Sequence, residues 1–202
     1  MVVGPLRVPA GVIRLRPVRM RDGVQWSRIR LADRATSSRG SPARVRIGLC
    51  AIRFRPGQRC ARVCARRPAG PDAAICDRAG REFCGQLTIG NVIHGALRSA
   101  WIGYWVSSAA TGGGVATGAL ALGLDHCFGP VTLHRVEATV RPENVASRAV
   151  LAKVGFREEG LLRRYLEVDG AWRDHLLMGL TVEEVYGSVT STLVREGHAS
   201  WV

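Results

Sequence analysis

The sequence predicts an α/β fold in which strands and helices alternate. Residues 100–106 are rich in aromatic and β-branched side chains, as in a strand, and residues 115–127 place apolar side chains near one helical face. A second strand, turn and helix follow from Leu133. Two strand–helix units in succession are typical of α/β proteins.

The elements before these units have weaker patterns. Residues 12–18 alternate well enough for a first strand, and Asp22 can cap a helix that extends to residue 32. Residues 83–89 and 99–106 favour the two strands of a hairpin, joined by a connection that contains Gly95.

The C-terminal elements are a second hairpin and a tail. Residues 164–168 and 175–181 favour two strands, and the Asp169-Gly170 dipeptide between them is typical of tight hairpin turns. Residues 182–202 have weak helical character and end in small and polar side chains, so we expect a peripheral tail at residues 186–202.

The length of 202 residues suits a single domain with its own core, which we place at residues 12–185. The chain has no apolar run of about 18 residues and no apolar segment directly after the first methionine. We therefore expect a cytoplasmic protein with no membrane partner.

The net charge of +13 comes from the N-terminal part of the chain. Residues 1–81 hold 19 arginines against 4 acidic residues, whereas residues 82–202 hold 10 basic residues against 12 acidic ones. Lys153 is the single lysine. Such a bias indicates either a nucleic-acid-binding surface or a GC-rich coding sequence.

Residues 35–81 predict an irregular segment, because they combine 11 arginines with 2 acidic residues and lack a useful apolar period. Three interpretations are open: a disordered segment, a nucleic-acid-binding element, or the product of a compensated frameshift. We favour the frameshift, because out-of-frame GC-rich DNA encodes mostly Arg, Ala, Gly and Pro and because both flanks fit a regular fold.

Metal and disulfide sites are not expected. Four of the six cysteines, Cys50, Cys60, Cys64 and Cys76, lack the paired C-x-x-C spacing of a structural zinc site, and no histidine lies among them. Disulfides are rare in the cytoplasm.

The turn at residues 111–116, Thr-Gly-Gly-Gly-Val-Ala, predicts a phosphate site. It follows a strand and opens a helix, where exposed backbone N–H groups and the helix dipole attract anions. It has neither the Gly-Lys-Ser/Thr of a Walker loop nor the G-x-G-x-x-G spacing of a Rossmann site. The alternative is a glycine-rich helix start without a ligand.

Two ordered motifs resemble the GNAT superfamily of N-acetyltransferases. The turn is similar to the signature Q/R-x-x-G-x-G/A, with Gly114 and Ala116 at the small positions and Thr111 in place of Gln or Arg. The downstream block resembles ribosomal-protein N-terminal acetyltransferases of the RimJ/RimL type through Asn144-x-x-Ser147, Leu151-x-Lys153-x-Gly155-Phe156 and Glu159-Gly160-x-Leu162-Arg163. This resemblance covers about residues 82–185.

The resemblance implies the GNAT fold, a mixed twisted sheet with helices on both faces and with strands four and five splayed apart. It also implies acetyl-CoA as co-substrate, with pantetheine in the gap beside Ile102, Tyr104 and Val106. The pyrophosphate would contact the glycine-rich turn and the helix start: Gly112, Gly113, Gly114, Val115, Ala116 and Thr117. For the Thr117 hydroxyl, a bond to its own helix is an equal alternative.

Glu137 is the first candidate for the general base. Thr139 occupies the place of the base glutamate in RimI-type relatives, and Glu137, two residues earlier, lies on the same face of the strand. The alternative is a surface glutamate paired with Arg135 or Arg141.

Ser147 is the candidate proton donor to the departing thiolate, because the helix lacks the family's tyrosine. Asn144 and Ser147 would both point towards the cofactor, although together they could form only a helix cap. Tyr165 would replace the missing tyrosine only if the fold returned it to the cleft. Lys153, Gly155 and Phe156 are expected to serve the structure.

We therefore predict an acetyl-CoA-dependent N-acetyltransferase acting on the N-terminal amine of a protein, in particular a ribosomal protein. A small-amine or aminoglycoside acetyltransferase is the rival enzyme, and it would need an acidic acceptor cleft. The rival from another class is a basic nucleic-acid-associated protein without catalysis, which steep salt dependence would reveal.

Overall fold

The computed structural model describes residues 3–37, 72–78 and 82–202. These residues form nine strands: β1 (Val3–Val8), β2 (Gly11–Pro17), β3 (Asp72–Arg78), β4 (Glu82–Ile93), β5 (Ser99–Val106), β6 (Arg135–Val140), β7 (Arg157–Val168), β8 (Ala171–Thr181) and β9 (Ser200–Trp201). They also form four α-helices: α1 (Asp22–Ser37), α2 (Val115–Phe128), α3 (Val145–Lys153) and α4 (Val189–Arg195).

The strands form one mixed sheet in the order β7-β8-β6-β5-β4-β3-β2-β1-β9. Within the described strands, β5 and β6 are the one parallel pair, and the other neighbours are antiparallel. A parallel pair needs a crossover connection, which α2 provides between β5 and β6.

The helices cover both faces of the sheet, as predicted. Tyr104 and Val106 of β5 belong to the main core, which α2, α3 and α4 cover. Trp105, between them in the strand, points to the opposite face. There it joins Phe83 in a smaller cluster against which Trp26 of α1 packs.

Helix α2 runs across the centre of the sheet because it is apolar on most of its surface, with buried residues along its whole length. It also approaches the sheet closely at Gly118. A β-carbon at that position would lie 2.8 Å from side-chain atoms of Ile13 and Val8. This approach fixes the N-terminus of α2 beside the turn between β1 and β2.

Strands β5 and β6 correspond to the family's strands four and five. They splay apart, which confirms the prediction for this pair. Their pairing runs from Ser99↔Arg135 to Trp101↔Glu137 and stops there. Ile102 and the rest of β5 pair with β4, while the end of β6 pairs with β8. A gap therefore opens between the C-terminal halves of β5 and β6.

The end of α3 has the predicted structural roles. Gly155 follows the helix with a φ of +100°, a conformation that favours glycine, and its N–H donates to the carbonyl of Ala152. Phe156 is buried in the core, and Lys153 is exposed.

The irregular segment predicted at residues 35–81 contains a strand, so the structure differs from that expectation at β3. Its partners explain the strand, because β3 is paired along its length by β2 on one side and β4 on the other. Residues 35–37 end helix α1. Residues 38–71 and 79–81, and with them the frameshift and nucleic-acid interpretations, lie outside the described residues.

The C-terminal tail also differs from the prediction of a peripheral segment. Val189 and Leu193 of α4 are buried in the main core. The Asp125 carboxylate of α2 accepts hydrogen bonds from the backbone N–H groups of Val189 at 2.7 Å and Thr190 at 3.1 Å. Strand β9 pairs with β1 at one edge of the sheet.

One whole strand, β1, and one hairpin boundary were missed for physical reasons. Strand β1 contains Gly4-Pro5, which disfavours a strand, but its register shifts between Val3 and Leu6 and accommodates them. The β7–β8 hairpin begins earlier than predicted because cross-strand pairing overrides the low strand propensity of residues 157–160.

In the part of the chain that the structure describes, no helix is long and apolar enough to cross a membrane.

Candidate functional site

The gap between β5 and β6 brings a tyrosine and a serine from distant parts of the chain into contact. The hydroxyl oxygens of Tyr104, on β5, and Ser147, on α3, lie 2.9 Å apart. The Tyr104 hydroxyl also lies within donating distance, 3.3 Å, of the Ser147 carbonyl oxygen. Helix α3 follows β6 along the chain, so this contact links β5 to the element that comes after β6.

Both hydroxyl groups are almost inaccessible to solvent. Tyr104 is 7% exposed and Ser147 is 2% exposed. Burial raises the pKa of Tyr104 to about 12, and the hydrogen bond with Ser147 opposes this rise in part. Tyr104 therefore stays a neutral hydroxyl near pH 7, and its proton is available for the hydrogen bond with Ser147.

Asn144 caps helix α3, which is the alternative that the sequence left open. Its side-chain oxygen accepts a hydrogen bond from the Ser147 backbone N–H at 3.2 Å. The cap fixes the start of α3 and with it the position of the Ser147 hydroxyl at the gap. Asn144 thus reaches the same region as the predicted cofactor residues, with its Oδ1 engaged in the cap.

The glycine-rich turn opens α2 without a side-chain cap. Gly114 is the N-cap, with a φ of +76°, and it has no side chain to accept the hydrogen bonds of the first helical turn. Gly112, with a φ of +81°, borders open space, since a β-carbon there would meet no atom within 4 Å. An external anion can therefore take the place of the missing cap.

The turn between β1 and β2 holds the glycine-rich turn from behind. The Ala10 backbone N–H donates to the Gly113 carbonyl at 3.0 Å. A β-carbon at Gly113 would lie 2.5 Å from the Ala10 Cβ. The contact involves Gly113 and not the first turn of α2. The N–H groups of that turn, at Val115, Ala116 and Thr117, have no intrahelical acceptors because they start the helix.

The turn and the gap are adjacent, because α2 begins nine residues after the end of β5. Ile102, Tyr104 and Val106 are all buried on the α2 face of β5. Their backbone edge towards β6 lies beyond the last β5–β6 pair. The described residues thus combine an unpaired strand edge with a helix N-terminus, which suits an elongated ligand that carries phosphates.

Glu137 lies at the vertex of the gap, in the last residue pair before the strands separate. Its side chain is 40% exposed, and its Oε1 accepts a hydrogen bond from Nε of Arg135 at 2.8 Å. The structure thus shows the arginine pairing that was the alternative to a base. Glu137 therefore both pairs with Arg135 and lies next to the gap.

Arg135 is held from a second side by Glu159 of β7. Both side chains lie over Gly179 of β8, where a β-carbon would be 2.5 Å from the Glu159 carboxylate. The hydrogen bond from Arg135 holds the pKa of Glu159 below its usual range. Glu159 also pairs with Arg157, so alternating charges extend from the gap to the edge of the sheet.

Two other residues considered from the sequence, Thr139 and Tyr165, take no part in the hydrogen bonds of Ser147 and Glu137 described above. Thr139 is on the same face of β6 as Glu137, two residues beyond the vertex. Tyr165 is on the β7–β8 hairpin, 45% exposed, with its ring edge-on to His175 at 6.0 Å between centroids. The tyrosine that meets Ser147 is Tyr104 instead. The strand pattern around Tyr104 did not predict this contact, because Ser147 is distant in the sequence.

The described residues contain no group of three or more His, Cys, Asp or Glu side chains that could hold a metal ion.

Comparison with known proteins identifies similar sequences and structures. The family model of the acetyltransferase (GNAT) domain matches residues 13–157. The chain is similar to the solved structure of Mycobacterium smegmatis RimJ in complex with CoA-disulfide, with 55% identity and a TM-score of 0.83. That match covers 100% of this chain and 97% of the other.

Two curated relatives match part of the chain. The [Ribosomal protein uS5]-alanine N-acetyltransferase of Escherichia coli (strain K12) is 33% identical over 110 residues, or 54% of this chain and 57% of its own length. The Bacillus subtilis (strain 168) protein named "Probable N-acetyltransferase YjcK" is 40% identical over 99 residues, or 49% of this chain and 55% of its own. The matches thus span little more than half the length of these relatives.

Proposed function

Because the chain belongs to the GNAT acetyltransferase family, we propose that it transfers the acetyl group of acetyl-CoA to the N-terminal amine of a protein. The observation that carries this proposal is the pairing of a side-chain-free N-cap, Gly114, with an unpaired strand edge beyond Trp101. Phosphates bind at helix N-termini, and an extended chain pairs with a free strand edge.

The residues around the gap fit this cofactor. Gly112, Gly113 and Gly114 keep the approach to the helix free of side chains, and Val115, Ala116 and Thr117 supply N–H groups. Ile102, Tyr104 and Val106 supply the strand edge for pantetheine, and the support from Ala10 keeps the turn in place. Acetyl-CoA supplies the activated acetyl group.

The favoured acceptor is the α-amine of a ribosomal protein. Support comes from the names of two similar proteins, RimJ and the uS5-alanine N-acetyltransferase. In this proposal the protein acts in the cytoplasm, where ribosomal proteins are made. The proposal extends to the whole protein, of which the curated relatives match a part.

The proposed chemistry uses Glu137 and Ser147. Glu137 takes the proton from the acceptor ammonium, directly or through water, from its position at the vertex of the gap. Ser147 passes a proton to the departing thiolate and receives in exchange the second proton that the amine nitrogen loses as the amide forms, so CoA leaves as a thiol and the serine stays a neutral hydroxyl. Tyr104 acts as a positioning residue, because a hydrogen bond from its hydroxyl to Ser147 Oγ leaves the serine proton free for the thiolate.

The cofactor site is tested with a matched pair of glycine variants. Gly112 and Gly95 both have a φ of +81°, and a β-carbon at either would meet no atom within 4 Å. Gly112→Glu and Gly95→Glu therefore place a side chain at the same positive φ and add the same charge. Gly112→Glu should raise the Kd for acetyl-CoA about ten-fold or more, by repulsion of the pyrophosphate, and Gly95→Glu should leave it unchanged.

Calorimetric titration with acetyl-CoA measures both Kd values, and equal values would contradict the phosphate site. The acceptor is then tested by mass spectrometry with an alanine-initiated peptide, spermidine and an aminoglycoside as parallel substrates. Acetylation of the peptide α-amine supports the proposal. Preference for a small amine would favour the rival enzyme instead.

A further inference from the structure

The indole ring of Trp101 lies flat on the sheet, over two glycines. A β-carbon at Gly90, on β4, would lie 2.5 Å from ring atoms of Trp101, and one at Gly103 would lie 3.1 Å from the ring. Any larger residue at Gly90 would displace the ring. The two glycines therefore fix the orientation of Trp101 and leave its outer face parallel to the sheet.

Trp101 and Glu137 are neighbours at the vertex of the gap. They are Cα partners in the last β5–β6 pair, and adjacent strands lie about 4.8 Å apart. Their neighbours Ala100, Ile102, Val136 and Ala138 are buried under α2 and α3. Trp101 and Glu137 therefore both project from the other face of the sheet, with the ring leaning away from β6 towards β4.

The outer face of the ring has no stacked partner among the described side chains. The ring–ring and cation–ring contacts among the described residues do not include Trp101; they involve Trp26, Trp105, Phe83, Tyr165, His175 and Arg30. Trp101 is nevertheless half-buried, because the ring rests on the sheet. The indole face and the Glu137 carboxylate, whose Oε1 accepts a hydrogen bond from Arg135, lie on the same face of the sheet, and such a pair is suited to an organic cation.

We propose that Trp101 and Glu137 form the subsite for the acceptor's N-terminal ammonium, with the indole face as its floor. This inference rests on the proposed function, which places the acetyl group in the gap. The cation is attracted by the ring quadrupole and by the carboxylate together. Glu137 then removes one proton, and the neutral amine is left beside the gap.

The first test compares Trp101→Leu and Trp101→Phe with Trp172→Leu, a control at a tryptophan that is 62% exposed on β8. Trp101→Leu should raise the KM for an alanine-initiated peptide about 2- to 30-fold, the range for a cation–ring contact. Trp101→Phe keeps a smaller ring and should have a smaller effect. Trp172→Leu should leave the KM for the peptide unchanged. The Kd for acetyl-CoA should be the same in the wild type and in all three variants.

The second test moves the ring without removing it. Gly90→Ala should displace the indole and raise the same KM, whereas Gly160→Ala, on β7, adds a β-carbon that meets no atom within 4 Å and should have no effect. Unfolding temperatures of all variants identify any that are simply unstable.

The third test separates recognition of charge from general packing. Two peptides that cannot be acetylated serve as competitive inhibitors: one begins with N,N,N-trimethylalanine, a fixed cation, and the other with lactate, which is neutral. The wild type should prefer the cationic peptide, and Trp101→Leu should lose about 2- to 30-fold of that preference. Equal losses of affinity for both peptides would overturn the inference.

The outcomes also separate this inference from the proposed function. If the wild type acetylates no peptide and does not bind acetyl-CoA, the proposed function fails. If the wild type acetylates peptides and Trp101→Leu keeps the same KM and the same preference for the cationic inhibitor, the subsite fails while the function stands.

Discussion

The contact between Tyr104 and Ser147 predicts a specific pattern of stability changes. Tyr104→Phe removes one hydroxyl and leaves Ser147 Oγ, at 2% exposure, without the partner that it has at 2.9 Å. A buried polar atom left unpaired costs about 1–3 kcal/mol. Ser147→Ala should cost less, about 1 kcal/mol, because the Tyr104 hydroxyl keeps an acceptor in the Ser147 carbonyl at 3.3 Å.

The double variant should cost less than the sum of the two single ones. Once Tyr104→Phe has removed the partner, Ser147→Ala removes the unpaired oxygen itself, so a coupling free energy of about 1 kcal/mol is expected. For a chain of this length, a destabilisation of 2 kcal/mol lowers Tm by about 4–8 °C. Tyr165→Phe, at an exposed tyrosine, should stay within about 0.5 kcal/mol of the wild type.

Urea unfolding followed by circular dichroism measures the four free energies of the cycle, with equal m-values as the check that unfolding remains comparable. Additive costs, within about 0.3 kcal/mol, would show that the two hydroxyls do not interact and would refute the reasoning. The result would also remove the positioning role of Tyr104 in the proposed chemistry.

Three further predictions concern the base, the tail and the dependence on pH. Glu137→Gln should lower kcat by about ten- to ten-thousand-fold with little change in the Kd for acetyl-CoA; unchanged turnover in a peptide assay would place the base elsewhere. Asp125→Ala removes two hydrogen bonds to the start of α4 and should lower the free energy of unfolding by about 1.5–3 kcal/mol in urea titrations, with Asp125→Asn as an intermediate case. The bidentate Arg16 hydrogen bonds lower the pKa of Asp22, so this pair stabilises the fold above about pH 4 and loses its effect as pH falls through the folded-state pKa. The difference in the free energy of unfolding between the wild type and Arg16→Met should therefore be smaller at pH 3 than at pH 7. A constant difference would contradict the pairing.

The glycine-rich turn at the start of α2 could be predicted from the sequence because its determinants are local. A strand, three glycines and an apolar helix follow one another within one stretch, and a glycine N-cap with positive φ depends on a few neighbouring residues. The same holds for the cap of α3 by Asn144 and for the helix end at Gly155.

The roles of single side chains depended on contacts between distant residues. Ser147 meets Tyr104 across 43 positions of the chain. Arg135 pairs with Glu137 nearby, but Glu159 reaches it from another strand, over Gly179. The sequence left base and surface ion pair as alternatives for Glu137, since no local pattern tells which strand will lie beside β6.

The sequence by itself determined the α/β class, the order of the central elements and the glycine-rich turn that opens α2, because hydrophobic periodicity and turn chemistry act over a few residues. Only the tertiary structure decided that β3, α4 and β9 form, that the indole of Trp101 rests on Gly90, and which tyrosine meets Ser147. Weak strands and helices of this kind are stabilised by their partners, and those partners are distant in the chain. Their formation is therefore a property of the assembled sheet, in which pairing and burial outweigh local propensity.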